Sequence, residues 1–334
     1  MSDPNQGFEP PPPPAQPVAE VKAPRANKLR IPAIVLFVLG LIMLVAGIAK
    51  ILPGGVGTGA AFAFFGIVLF VFSFIRLPQA SGEGEPPMSA VEKLGAIFYA
   101  PTRVFRNLRN HPTWLAAFLV IGAANAIYSF AFVQRLTPER IVEFTFEKLA
   151  DSPIKPPADK MEQAKQEALQ AAKQPVQRAQ TAAKGFVGVF VFAALVAGLC
   201  LLGVLAFGGR INYWQSFAAV MWGYLPVILI TKLVSLVILY IKAPEDIHPV
   251  LNAETLLQDN LGILFSPAEH PALFVVGSVI GVLSFYGLWL RVKGLQHAGT
   301  KVSSSTAWGV AITLFVLALI VGMIFATLFS SFMS

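Results

Sequence analysis

FAAVMWGYLPVILITKLVSLVILYI, running from Phe217 to Ile241, holds no acidic residue and one basic residue, Lys232. Wound as an α-helix it is about 37 Å long, more than the roughly 30 Å hydrocarbon core of a bilayer. Six further apolar blocks lie at about Ile31 to Leu52, Gly59 to Leu77, Thr113 to Val133, Gly185 to Phe207, Leu273 to Leu290 and Ala307 to Phe329. None of the 18 acidic residues falls inside any block, and among basic residues only Lys232 sits deep in one. The 334-residue chain is 55% hydrophobic and 13% charged, which is too little charge for a soluble surface of that size. Closed β-barrels would alternate in short segments instead. The expected fold is therefore all-α, a polytopic transmembrane helix bundle of about seven spans.

The Lys and Arg residues set the expected orientation. With the N-terminus cytoplasmic, the inside segments carry Lys22, Arg25, Lys28 and Arg30, then Arg76, Lys93, Arg103, Arg106 and Arg109, then Arg210, then Arg291, Lys293 and Lys301. The short outside turns carry only Lys50 and Lys242, the asymmetry of the positive-inside rule, and the C-terminus ends outside. The loop 135–184 would also lie outside although it carries nine basic residues; seven acidic ones balance them, and long loops translocate with little regard to charge. The net charge of +7 sits beside the spans rather than among aromatics on a soluble face. That argues against nucleic acid and for anionic lipid headgroups on the cytoplasmic side.

Composition divides the chain. Residues 1–30, with the run Pro10 to Pro14, read as a disordered cytoplasmic tail; 31–77 as a transmembrane hairpin; 78–87 as a Pro/Gly/Ser-rich linker; and 88–334 as a five-span membrane unit. That unit opens with an amphipathic stretch, Val91 to Leu108, suited to the membrane interface. Within the outside loop, Thr137-Pro138-Glu139 starts a short helix to about Leu149, and a second helical run goes from Asp159 to Gln174 until Pro175 interrupts it.

A search for chemistry finds little. The four histidines are scattered, no H-E-x-x-H or G-x-S-x-G occurs, and acids are missing from the spans, so no catalytic, cofactor-binding or metal-ligating residues are assigned and no cofactor is expected. An outer-loop group of Asp246, His248, Glu254, Asp259, Glu269 and His270 is the weakest of the candidates; it needs His248 and His270 within ligand distance of each other. Gly54 to Gly59 is a turn between two spans, not a phosphate cradle. Cys200 is a small apolar residue inside a span.

The candidate intramembrane polar site is Lys232 with Asn125 and Tyr128, with Thr231 and Ser235 as further polar neighbours. Lys232 lies nine residues before Ile241, about 13 Å from the outer end of its span, too deep to snorkel out easily. It must find polar partners or lose its proton. Both a functional and a packing role are open. Pro226 should kink the same span and free a carbonyl for a polar group.

Three motifs from Met88 onward carry a family resemblance. The first is Tyr99-Ala100-Pro101-Thr102-Arg103-Val104-Phe105 with His111-Pro112-Thr113-Trp114. The second is Tyr213-Trp214-Gln215-Ser216-Phe217 with Gly223-Tyr224-Leu225-Pro226. The third is Ser284-Phe285-Tyr286-Gly287-Leu288-Trp289, then Gly294-Leu295 and Ser304-Ser305-Thr306-Ala307-Trp308. In order and spacing they resemble the Yip domain family of Rab/Ypt-interacting membrane proteins in its bacterial form, with Pro101, Phe105, Trp114, Tyr224, Pro226 and Trp289 at family-like positions. The resemblance implies a five-span unit with its lead-in on the cytoplasmic side, here in a bacterial cytoplasmic membrane. Eukaryotic members are linked to small GTPases and vesicle traffic; their Asp-Leu-Tyr-Gly-Pro type element is replaced here by Tyr99-Ala100-Pro101.

The reading favoured by the sequence is a non-enzymatic membrane scaffold or adaptor that meets a protein partner through the tail or the outside loop. A small-molecule or lipid permease with a path past Lys232 is the alternative.

Overall fold

The structure, a computed structural model, describes residues 26–77, 86–150 and 157–328 except 252 and 268. The proline-rich part of the tail, most of the linker and the break before Pro157 lie outside the described residues, as do the last six residues.

α1 (Arg30–Ile48) and α2 (Gly55–Phe72) form a hairpin whose turn uses two positive φ angles, at Lys50 and Gly54. Small residues line the contact. A β-carbon on Gly40 would lie 2.3 Å from Ala63 N, and one on Gly59 would lie 2.4 Å from Leu44 N, so the two backbones touch where a side chain would separate them.

α3 (Ala90–Tyr99) begins at Ser89, whose hydroxyl accepts from Glu92 N. α4 (Pro101–Asn110) starts on Pro101, which has no N–H to leave unpaired. Both helices are amphipathic: Ile97, Val104, Phe105 and Leu108 are fully buried, whereas Arg103 and Arg106 are exposed. α5 (Leu115–Leu136) is followed by α6 (Pro138–Ala150) and α7 (Ala158–Lys173), where Glu139 and Lys173 pair at 3.1 Å. α8 (Pro175–Ala206) runs unbroken from that polar segment into an apolar span. α9 (Tyr213–Ile241) opens on a capping box in which Asn212 and Gln215 satisfy each other's backbone N–H groups.

The block expected as one span at Leu273 to Leu290 is instead two helices, α10 (Pro271–Ser278) and α11 (Val282–Ala298). Gly277 and Gly281 let the segment around Asn260 to Gly262 press against the backbone there. Leu261 N donates to Ile280 O at 3.1 Å, and the Asp259 carboxylate accepts from Leu283 N at 2.7 Å, capping α11 from outside its own sequence. α11 then continues past Leu290, so Arg291 and Lys293, expected in a segment between spans, are helical, and so is His297. α12 (Ser304–Leu328) completes the chain.

Six of these helices, the first extended back to Asn27, are long and apolar enough to cross a membrane: α1, α2, α5, α8, α9 and α12. α11 is shorter and more charged, yet it packs antiparallel to α9, with Gly287 near Val227 and Gly294 near Ala219, so it carries the chain back through the bundle. The fold is a polytopic all-α bundle, and the protein is a multi-pass membrane protein. Its outward surface agrees: Leu195, Phe192, Val237 and Phe325 are more than half exposed on helices that would otherwise be core.

The core joins α2, α5, α8 and α9 through edge-to-face rings. Trp114 lies 5.5 Å from Phe190 and 5.2 Å from Phe217, and Phe65 lies 4.8 Å from Phe190. Hydrogen bonds gather the loops at two ends. At one, which is rich in cations, Ala26 N and Trp214 Nε1 donate to Ile75 O, Gln215 Nε2 to Arg109 O, Arg109 Nε to His297 O, and Arg210 N to Lys301 O. At the other, Gln180 Nε2 donates to Pro53 O, Arg135 to Lys242 O, and Arg140 to the carbonyls of Pro244, Glu245 and Ile247.

Candidate functional site

Lys232 sits on the C-terminal half of α9 and is almost fully buried. Its ammonium donates to the main-chain carbonyl of Glu254, lies 3.4 Å from the Glu254 carboxylate and stands 4.7 Å over the Tyr128 ring of α5. The loop after α9 comes down to meet it rather than leaving it among helices. Ser235, one turn on, anchors the same loop: its Oγ is 2.9 Å from Thr255 Oγ1 and accepts from the N–H groups of Leu256 and Leu257. Leu256 and Ile247 bury themselves against Tyr128, Phe132 and Leu239 just beneath.

Of the residues predicted for this site, Lys232 and Tyr128 are brought together. Asn125 is half-buried one turn earlier on α5, and among the described residues no hydrogen bond joins it to Lys232. Glu254, the main partner, was missed: it is 22 residues away in a loop, and its carboxylate side chain is 92% exposed. Pro226 is buried within α9, which runs through it as one helix; the carbonyl that Lys232 uses belongs to Glu254, not to the turn before Pro226.

Among the described residues, the acids and histidines of the loop between α9 and α10 do not assemble. His248 Nδ1 accepts from Val250 N and Leu251 N, and among the described residues no three of His, Cys, Asp or Glu converge as metal ligands. Asp259 is taken up as the cap of α11. Cys200 is fully buried in α8.

Of the family-like positions, Pro101, Phe105 and Trp114 lie at the cation-rich end, and Tyr224, Pro226 and Trp289 lie deeper on α9 and α11. Pro101 starts α4 and the Phe105 ring reaches Gly294 of α11, seating the amphipathic helix on the bundle. Trp114 enters the aromatic core, and Trp222 Nε1 donates to Thr113 O at 2.7 Å beside it. Lys93 of α3 is buried and donates to Thr113 Oγ1 at 2.7 Å; burial pushes its pKa down to about 8, against the opposing pull of Glu92. Tyr224 accepts from the Arg291 guanidinium at 2.9 Å, and Trp289 stacks on Tyr286 with ring centres 6.0 Å apart. Arg291 was thus a second missed residue. The apolar block ends at Leu290, which places the next residue in a loop by hydropathy; the helical continuation to Ala298 puts it in the bundle.

No curated protein and no solved structure matches the chain. One family model does, that of the Yip1 domain, over residues 95–326, from within α3 to within the last turn of α12 and more than half of the chain. The three motifs and the helices that seat them on one another lie inside that match, and the protein belongs to the Yip1 domain family.

Proposed function

We propose that this Yip1 domain protein is a non-enzymatic membrane scaffold or adaptor. The observation that carries the reading is the state of Lys232: its ammonium is held by the Glu254 carbonyl and carboxylate and by the Tyr128 ring, so the residue clasps the loop after α9 to the bundle. A group so engaged serves packing. A transport path past it would require Glu254 to leave and a desolvated charge to remain behind.

In this reading the cation-rich end faces the cytoplasm of a bacterial cell, with the N-terminus inside the cytoplasmic membrane and the C-terminus outside. The exposed Arg103 and Arg106 of the amphipathic pair α3–α4 meet anionic headgroups there. The two-helix hairpin, with its tail, is an addition to the five-span unit, and a protein partner would dock on the tail of residues 1–30 or on the helical segment 135–184.

Proximity labelling from a tag on the N-terminal tail, in the native membrane, tests this with Lys232→Ala beside the wild type. Enrichment of one protein partner that the variant keeps supports the scaffold. No enriched partner, together with a changed small-molecule or lipid content only in the variant, would replace it with a permease whose path passes Lys232.

A further inference from the structure

Arg291 is a second cation inside the bundle, and it lacks what Lys232 has. Its guanidinium donates to the Tyr224 hydroxyl at 2.9 Å and lies 5.5 Å from the centre of that ring. Among the described residues no carboxylate pairs with it. The one described carboxylate on α3 or α4, Glu92, is held by Arg103 at 2.7 Å, and the remaining ones belong to segments 139–167 and 245–269, toward the opposite end.

Depth matters here. Arg291 is seven residues before Ala298, about 10 Å from the end of α11. It is one turn deeper than Gly294, where the Phe105 ring of the interfacial helix α4 is seated. With α4 lying in the interface, that level is near the boundary between headgroups and acyl chains, where lipid phosphates are the nearest anions to a guanidinium. A narrow cleft opens beside it between α9 and α11, lined by Ala219, Val220, Gly223, Gly287 and Leu295 with Tyr224. Gly223 and Gly287 place no side chain in it. Tyr224 accepts from Arg291 through its oxygen and keeps its own O–H to donate.

We infer that Arg291 and Tyr224 form a binding site for a phosphate group, the guanidinium supplying the charge and paired donors and the tyrosine a further donor. The neighbouring apolar wall suits the acyl chains of a bilayer phospholipid whose headgroup phosphate meets Arg291 and Tyr224; inorganic phosphate shares the phosphate chemistry and is the other source. The site stands or falls independently of the scaffold reading, which rests on Lys232.

The test is native mass spectrometry of the full chain, wild type beside Arg291→Gln, Arg291→Lys and Tyr224→Phe. Each is released from bilayers containing phosphatidylglycerol or, separately, from detergent with inorganic phosphate alone. Equal elution volume and helicity show that the variants fold. The expected result is a retained phosphatidylglycerol that Arg291→Gln binds roughly tenfold more weakly, with Arg291→Lys between the two. Arg291-dependent binding of inorganic phosphate with no lipid retained keeps the site and assigns it to the free ion. Equal retention by wild type and Arg291→Gln overturns the proposal. If Arg291→Gln does not fold, Tyr224→Phe decides: a several-fold loss supports the site, and unchanged binding overturns it.

Discussion

In the hairpin of α1 and α2 the backbones themselves touch, whereas α5, α8 and α9 are held apart by large rings and tied by polar contacts between distant residues. Gly40, Gly59 and Gly66 bring the hairpin close enough that no β-carbon would fit. The bundle instead uses the rings of Trp114, Phe190 and Phe217, and clasps such as Lys232 to Glu254 and Gln215 to Arg109. In lipid, apolar side chains gain little by leaving acyl chains, so association must come from close packing or from hydrogen bonds. The two regions take one route each.

The largest effect expected from breaking that contrast is in the hairpin. Gly40→Leu must push the Ala63 backbone away, and overpacking of this kind costs about 3 kcal/mol. Thermal unfolding in detergent should show the loss, while cross-linking of Lys232 to Glu254 persists. Loss of both together would mean that the hairpin is integral to the clasp.

A smaller effect is expected at Lys93, a buried cation of the polar region. Its folded pKa is about 8 against 10.5 for the free side chain. Between those values the unfolded chain binds more protons than the folded one, so stability rises with pH across that window. At neutral pH the charged side chain is a burden. Lys93→Met should remove that rise, a difference on the order of 2 kcal/mol between pH 7 and pH 10, read as the gap between the two melting curves. Parallel curves would show Lys93 to be better solvated than its burial indicates.

The Lys232 clasp separates into two parts. Lys232→Met leaves the Glu254 carbonyl without its donor and should cost about 2 kcal/mol. Hydrogen exchange in residues 253–262 should rise with it. Glu254→Gln keeps the carbonyl and changes a side chain that is 92% exposed, so a few tenths of a kcal/mol is expected. Equal losses in the two variants would assign the clasp to the carboxylate.

What the sequence makes legible follows the same division. Membrane spans and the hairpin come from local composition, and the amphipathic α3–α4 pair, the break at Pro175 and the assembly of basic segments at one end were readable from spacing alone. Lys232 stood out because a charge in an apolar block is rare, and Tyr128 was found with it. Its main partner was not legible: Glu254 contributes a backbone carbonyl, which every residue has, from a loop whose course no periodicity fixes. Arg291 was misplaced because hydropathy ends a span where charge begins, although a helix can continue through the interface. The split of the block at Leu273 to Leu290 escaped for a third reason. Gly277 and Gly281 within the block permit it, but the groups that occupy the break, Asn260, Leu261 and Asp259, come from the preceding loop.

That last point gives the smallest of the expected effects and a direct probe of why α11 starts where it does. The Asp259 carboxylate receives the N–H of Leu283, the second residue of the helix, and sits at the positive end of its dipole. Asp259→Ala should cost about 1 kcal/mol, the usual value of a cap, and Asp259→Asn less, since the amide oxygen still accepts. Hydrogen exchange at Val282 and Leu283 should rise in the alanine variant while α10 stays protected. Equal exchange in α10 and α11 would mean that the two segments behave as one helix in the bilayer. Unchanged exchange at Val282 and Leu283 would instead assign the interruption to glycine packing at Gly277 and Gly281 rather than to the cap.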